Sequence, residues 1–292
     1  MVPCGKLPVH ASKGMPMTYQ TILVHCDESA KASTRLDVAA ELAGRFNALL
    51  VCLHGQPPFE VPAFSDGAFA TEPVFAAYEE SAKANLAASR ATFDKAVKGK
   101  HLRVEWRVLD DYPEEGLVTA ARYADLVVVG QSTPDAATPG NLPESVAMAT
   151  GRPVLVVPHI GADKAPGKKV MLCWNASRES ARAASDALPF LKAAEEVIVF
   201  VVDPKAKNAD HGAEPGADVA AWLARHGVKV TVRRDFAADS DIGNVIVSRA
   251  ADLYIDLIVM GIYGHSRVRE LVVGGVSRTL LASMTVPVLM SH

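Results

Sequence analysis

The run Gly261-Ile262-Tyr263-Gly264, nine further residues, and then Gly274-Gly275-Val276-Ser277 sets glycines and a hydroxyl at the spacing of an anion cradle. Glycine lets backbone N–H groups approach a bound anion closely. The segment follows the apolar run Asp256–Met260, which reads as a buried strand, and leads into Ser277–Leu281, which reads as the first turn of a helix. A helix start offers unpaired N–H donors and the positive end of a dipole, so strand, glycine loop and helix start together suit a phosphate group. Neither G-x-x-x-x-G-K-[ST] nor a G-x-G-x-x-G after a strand occurs in the chain, so this is neither of the two commonest phosphate loops. His265, Arg267, Arg269 and Arg278 lie around it and would strengthen an anion site, or equally form a solvated charged loop. Ser277 suits a phosphate ligand and a helix N-cap alike, and Tyr263 reads as surface packing in preference to stacking on a base.

Other reactive residues are less organised. His25, Cys26, Cys52 and His54 fall on two strands expected to be neighbours, but alternation sends His25 and Cys26 to opposite faces, a poor start for a four-ligand metal site. No G-x-S-x-G elbow and no H-E-x-x-H pair is present. No residue is assigned a catalytic role. Trp106, Trp174 and Trp222 read as core or strand-end residues.

The elements that carry the loop are written twice. Asp125-Leu-Val-Val-Val-Gly130 returns as Asp256-Leu-Ile-Val-Met-Gly261, and Pro153–Val157 returns as Pro287–Ser291. Thr21–Asp27 returns as Lys169–Asn175. Strands are expected near 20–26, 48–54, 102–108, 125–129 and 153–157, then near 169–174, 196–202, 228–234, 256–260 and 286–290. Helices are expected near 30–45, 75–98, 113–123 and 142–150, then near 177–192, 213–226, 241–253 and 276–284. Short apolar strands alternating with helices predict an α/β fold: two doubly wound, five-stranded parallel-sheet domains, with ligands at the strand C-termini where strand order reverses. The domains are drawn at 19–160 and 168–292, joined by the short linker Gly161–Gly167 and packed as a pseudo-dimer. Pairing 153–157 with 286–290 would satisfy the open edge of each closing strand.

The glycine pattern, the paired Asp-Leu strands and the closing Pro-Val-Leu strands resemble the universal stress protein family in tandem form, from residue 19 to the C-terminus. The resemblance implies an adenine nucleotide alpha hydrolase-like fold, a role in stress response, dimer formation, and ATP or AMP as ligand. It places phosphates on Gly261, Gly264, Gly274, Gly275, Val276 and Ser277, with Met260 and Val276 as apolar flanks and His265 beside the loop, and adenine beside Asn175, Val201 and Val202. Two departures stand out. Gly275 takes a position that is usually Ser or Thr, and Asn175 takes that of an acid, leaving no charge for Mg²⁺. The first copy keeps its acid, Asp27, but has Thr133 for the second glycine. After Gly140 and Asn141 it has Pro143 and Glu144 where Ser277 and Arg278 stand in the second. Proline has no N–H to donate and a glutamate repels phosphate, so the first copy reads as fold retained and phosphate site lost.

Composition bounds the alternatives. The 292 residues are 49% apolar and 22% charged, with a net charge of −3 that gives no general attraction to nucleic acid or membranes. No apolar run reaches the roughly 18 residues of a membrane span. The four cysteines form no C-x-x-C pair and three sit in apolar runs, which fits reduced thiols in a cytoplasm. Residues 1–18 lack periodicity and an apolar signal core and are expected to be a disordered tail. A Pro- and Phe-rich excursion over 56–74 lengthens the first copy. Two further readings stay open: a slow ATPase, with His265 its only candidate base, and a scaffold that binds no nucleotide.

Overall fold

Apolar runs form the middle of a single twisted sheet, because strands covered on both faces must be hydrophobic on both. The computed structural model describes residues 18–59, 72–110, 112–132, 142–162, 165–203, 214–238, 240–262 and 275–292. The first copy runs β1 (Thr21–Cys26), α1 (Ala32–Phe46), β2 (Leu49–Gly55), α2 (Glu72–Val97), β3 (Arg103–Leu109), α3 (Pro113–Ala121), β4 (Leu126–Gly130), α4 (Leu142–Thr150) and β5 (Val154–Val157). The second runs β6 (Lys169–Cys173), α5 (Arg178–Asp186), α6 (Leu188–Ala193), β7 (Glu196–Val202), α7 (Ala217–Arg225), β8 (Val230–Asp235), α8 (Ile242–Asp252), β9 (Leu257–Gly261), α9 (Gly275–Ser283) and β10 (Val288–Ser291). The tail through residue 17 and most of the 56–74 excursion lie outside the described residues.

The strand order is β3-β2-β1-β4-β5-β10-β9-β6-β7-β8. Each half is parallel within itself, and the halves join where β5 and β10 pair antiparallel. The expected pairing of the two closing strands is therefore present, and it fuses two five-stranded sheets into one of ten. Leu155 faces Leu289 at this seam. These are equivalent residues of the two copies, so a pseudo-twofold axis passes between them, normal to the sheet.

Alternation along each strand feeds two continuous cores. Ile22, Val24 and Cys26 join α1, α2, α5 and α7 on one face. Leu23, Val127 and Val129 join α3, α4, α8 and α9 on the other. Acids clamp the strand starts: Asp125 accepts from the N–H groups of Gln20 and Thr21 at 2.8 and 2.9 Å. Asp256 does the same for Gly167, Lys168 and Lys169 at 2.9–3.0 Å. The halves are also stitched on the α1/α5 side. Tyr19 donates to Asp186 O at 2.7 Å, and its ring packs edge-on to Phe46 and tilted against Phe190. Gly167 (φ +100°) passes so close that an added Cβ would sit 2.7 Å from the Phe190 ring.

One helix differs from expectation. The single helix expected over 177–192 is divided into α5 and α6 at Ala187. Pro189 lacks the N–H needed to continue the ladder, and its ring suits only a first turn, so a new helix starts there.

Candidate functional site

Strand order reverses between β1 and β4 in the first half and between β6 and β9 in the second. In open α/β sheets such a reversal places a crevice beyond the strand C-termini. Because the halves are antiparallel, the two switch points lie at opposite ends of the strands.

In the second half the crevice starts at Asn175, two residues past β6 and exposed. Its Oδ1 accepts from the Ser177 N–H at 3.2 Å, across Ala176 in the left-handed region (φ +58°). Ser177 then caps α5, its hydroxyl accepting from Ser180 N at 3.1 Å. On the neighbouring β7, Val201 is buried and Val202 half-buried at the strand end. Met260 is buried near the end of β9. At Gly261 the backbone of α5 passes so near that an added Cβ would lie 2.4 Å from Glu179 C and 2.5 Å from Ser180 N. This glycine is required for helix–strand packing, whatever else it does.

Helix α9 begins at Gly275, which is exposed, and among the described residues nothing lies within 4 Å of a Cβ added there. Val276 is half-buried, and Ser277 is buried in the first turn. Ser277 therefore stands inside the helix and is not its cap residue. Gly264, His265 and Gly274, with Tyr263, Arg267 and Arg269, lie outside the described residues. The structure thus brings Met260, Gly261 and Ile262 to one strand end and sets Gly275, Val276 and Ser277 at a helix start. Asn175, Val201 and Val202 follow on the next two strands.

The first crevice is filled by the chain itself. Arg35, on α1 and only 4% exposed, donates from Nε to His25 O at 2.7 Å. Its Nη2 lies 3.0 Å from Asp27 Oδ1, and its Nη1 lies 2.6 Å from where a Cβ on Gly130 would sit. The guanidinium therefore spans the ends of β1 and β4. Burial acts to raise the Asp27 carboxyl, but Arg35, His25 and the Ser29 hydroxyl hold it well below the ordinary carboxylate range. Burial, with Arg35 adding to it, pushes the buried His25 down from 6.5 to about 4 against the pull of Asp27.

The model of the universal stress protein family matches the chain twice, over residues 18–158 and 167–292. The chain belongs to this family. A universal stress protein from Archaeoglobus fulgidus superposes with a TM-score of 0.67 at 15% identity, covering 93% of this chain and 97% of that one. A functionally unknown protein from Pseudomonas aeruginosa superposes with a TM-score of 0.58 at 14% identity, covering 94% and 92%. A universal stress protein solved in complex with cAMP is 27% identical over 48% of this chain and 98% of its own, with a TM-score of 0.37. No curated protein matches the chain.

For a tandem universal stress protein, Arg35 is the residue that motif reading passes over. Its signal is an arginine on the otherwise apolar face of α1, among Ala32, Leu36, Ala39 and Leu42, where the second half has Ala183. Thr133, Gly140 and Asn141 lie outside the described residues. Among the described residues no group of three or more potential metal ligands comes together, and His25, Cys26, Cys52 and His54 do not converge. Cys26 aligns with His54, and Cys52 with Val24, on the strand pair. Burial, with Cys26 beside it, drives the Cys52 thiol far up, and burial pushes Cys173 up to about 12, so both are inert as nucleophiles.

Proposed function

We propose that the C-terminal half binds an adenine nucleotide, ATP or AMP, and retains it without rapid turnover, as part of a stress response in the cytoplasm. The observation that carries this reading is the contrast between the crevices. In the second, no described residue crowds Gly275 at the start of α9, while in the first, Arg35 occupies the strand ends. Phosphates would rest on backbone N–H groups around Gly261–Gly264 and Gly274–Ser277, with the buried Ser277 hydroxyl beside them. Adenine would lie toward Asn175, Val201 and Val202. Asn175 offers an amide and no charge, so Mg²⁺ has no anionic anchor there. Among the described residues no helix is long and apolar enough to cross a membrane.

The test is whether purified protein carries its ligand. After denaturation, the supernatant should show adenine absorbance and the mass of AMP or ATP, and calorimetric titration of emptied protein with ATP should release heat. A clean supernatant together with no heat at millimolar ATP would refute the reading. The filled first crevice favours a second reading, a scaffold that binds no nucleotide, and the same result would support it. A slow ATPase rests on His265 alone, and hydrolysis that survives His265→Ala would remove it.

A further inference from the structure

The pseudo-twofold axis relates unlike charges. Alignment on Pro153 and Pro287 makes Glu144 of α4 the counterpart of Arg278 of α9, both in a first helical turn. The same relation puts Leu155 opposite Leu289 at the seam. Both side chains line one cavity of about 160 Å³ between the halves, with Gln131, Pro143, Leu281 and Ala282. Gln131 closes one side, donating from Nε2 to Leu281 O at 2.6 Å, while its Oε1 accepts from His159 N at 2.9 Å. Glu144 Oε2 is shut off from solvent and has no hydrogen-bond partner among the described residues. Burial raises the Glu144 carboxyl, and its own backbone N–H and the nearby Arg278 charge act against that rise.

If two identical halves met at this seam, symmetry would put the same residue on both sides of the axis. Two N-terminal halves would face Glu144 with Glu144, and two C-terminal halves Arg278 with Arg278. Like charges in a partly enclosed cavity repel strongly, because little water screens them. We propose that Glu144 and Arg278 are the pairing determinant of the seam, directing each N-terminal half onto a C-terminal half and excluding the union of like halves from different chains. The partner selected at this face is thus the other copy of the repeat.

A charge-reversal cycle on the full chain tests this. E144R and R278E should each lower the thermal midpoint at low salt, by about 2–4 °C for a chain of this size. The double reversal E144R/R278E should recover at least half of the summed loss, and added salt should shrink that recovery. Light scattering should show the wild type and the double reversal with the same mass. If either single reversal fails to fold, the neutral cycle of E144Q, R278Q and both reads the same coupling. A double variant that loses as much as the two singles together, in whichever cycle folds, would overturn the proposal.

Discussion

Gly275 and His25 show how single residues divide the labour between the two crevices. Gly275 departs from the hydroxyl residue that the resemblance implies, and among the described residues nothing lies within 4 Å of a Cβ added there. Gly275→Ser therefore meets no described residue and adds one donor at the start of α9. One added hydrogen bond to a charged group should tighten ATP binding by about 10–100-fold, read by calorimetry with little change in thermal midpoint. His25 belongs to the filled crevice and affects stability. Its folded pKa of about 4 lies below its ordinary 6.5, chiefly through burial. Between those values the unfolded chain takes up a proton that the folded chain refuses, so stability is full above pH 6.5 and falls as the pH drops toward 4. At about 1.4 kcal/mol per pH unit, the loss across this window approaches about 3 kcal/mol. Urea unfolding at pH 7 and pH 5 should show it, and His25→Gln should flatten the difference. Asp27 has its folded pKa depressed, so its contribution persists through that window and is lost only at more acid pH.

At the scale of elements, α5 decides what Gly261 is for. The glycine lies at the mouth of the crevice, but its missing Cβ is where the first turn of α5 passes. Gly261→Ala must push α5 off β9, which should cost about 1–3 kcal/mol of stability, visible in the denaturant midpoint with or without nucleotide. The elements themselves were largely legible in the chain. Apolar runs bounded by turns gave the ten strands near their observed places, and repeated Asp-Leu and Pro-Val-Leu strands gave the twofold design. The division at Ala187 was missed because α5 and α6 share one apolar stripe, and only Pro189 marks the break. The plug of the first crevice was half legible. Pro143 and Glu144 signalled a lost phosphate site, but Arg35 acts through space, meeting Gly130 some 95 positions along the chain, and no local spacing reveals that contact.

Across the whole molecule, the antiparallel seam uses up the closing strand of both halves and leaves β3 and β8 as the open edges of the sheet. A second chain that extended the sheet would have to add at one of those strands. The two crevices lie at opposite ends of the strands, so filling one with Arg35 does not obstruct the other. The central claim is that backbone amides at the start of α9 hold an anion. The second half can be given the first half's chemistry there: Ser277→Pro removes one N–H and one hydroxyl at a first-turn position that accepts proline, as α4 does at Pro143. Calorimetric titration of ATP into wild type and this variant is the most direct measurement. Heat of binding in the wild type, and its loss in a variant that keeps its thermal midpoint, is the predicted result; equal binding by both, or none by the wild type, would contradict the account.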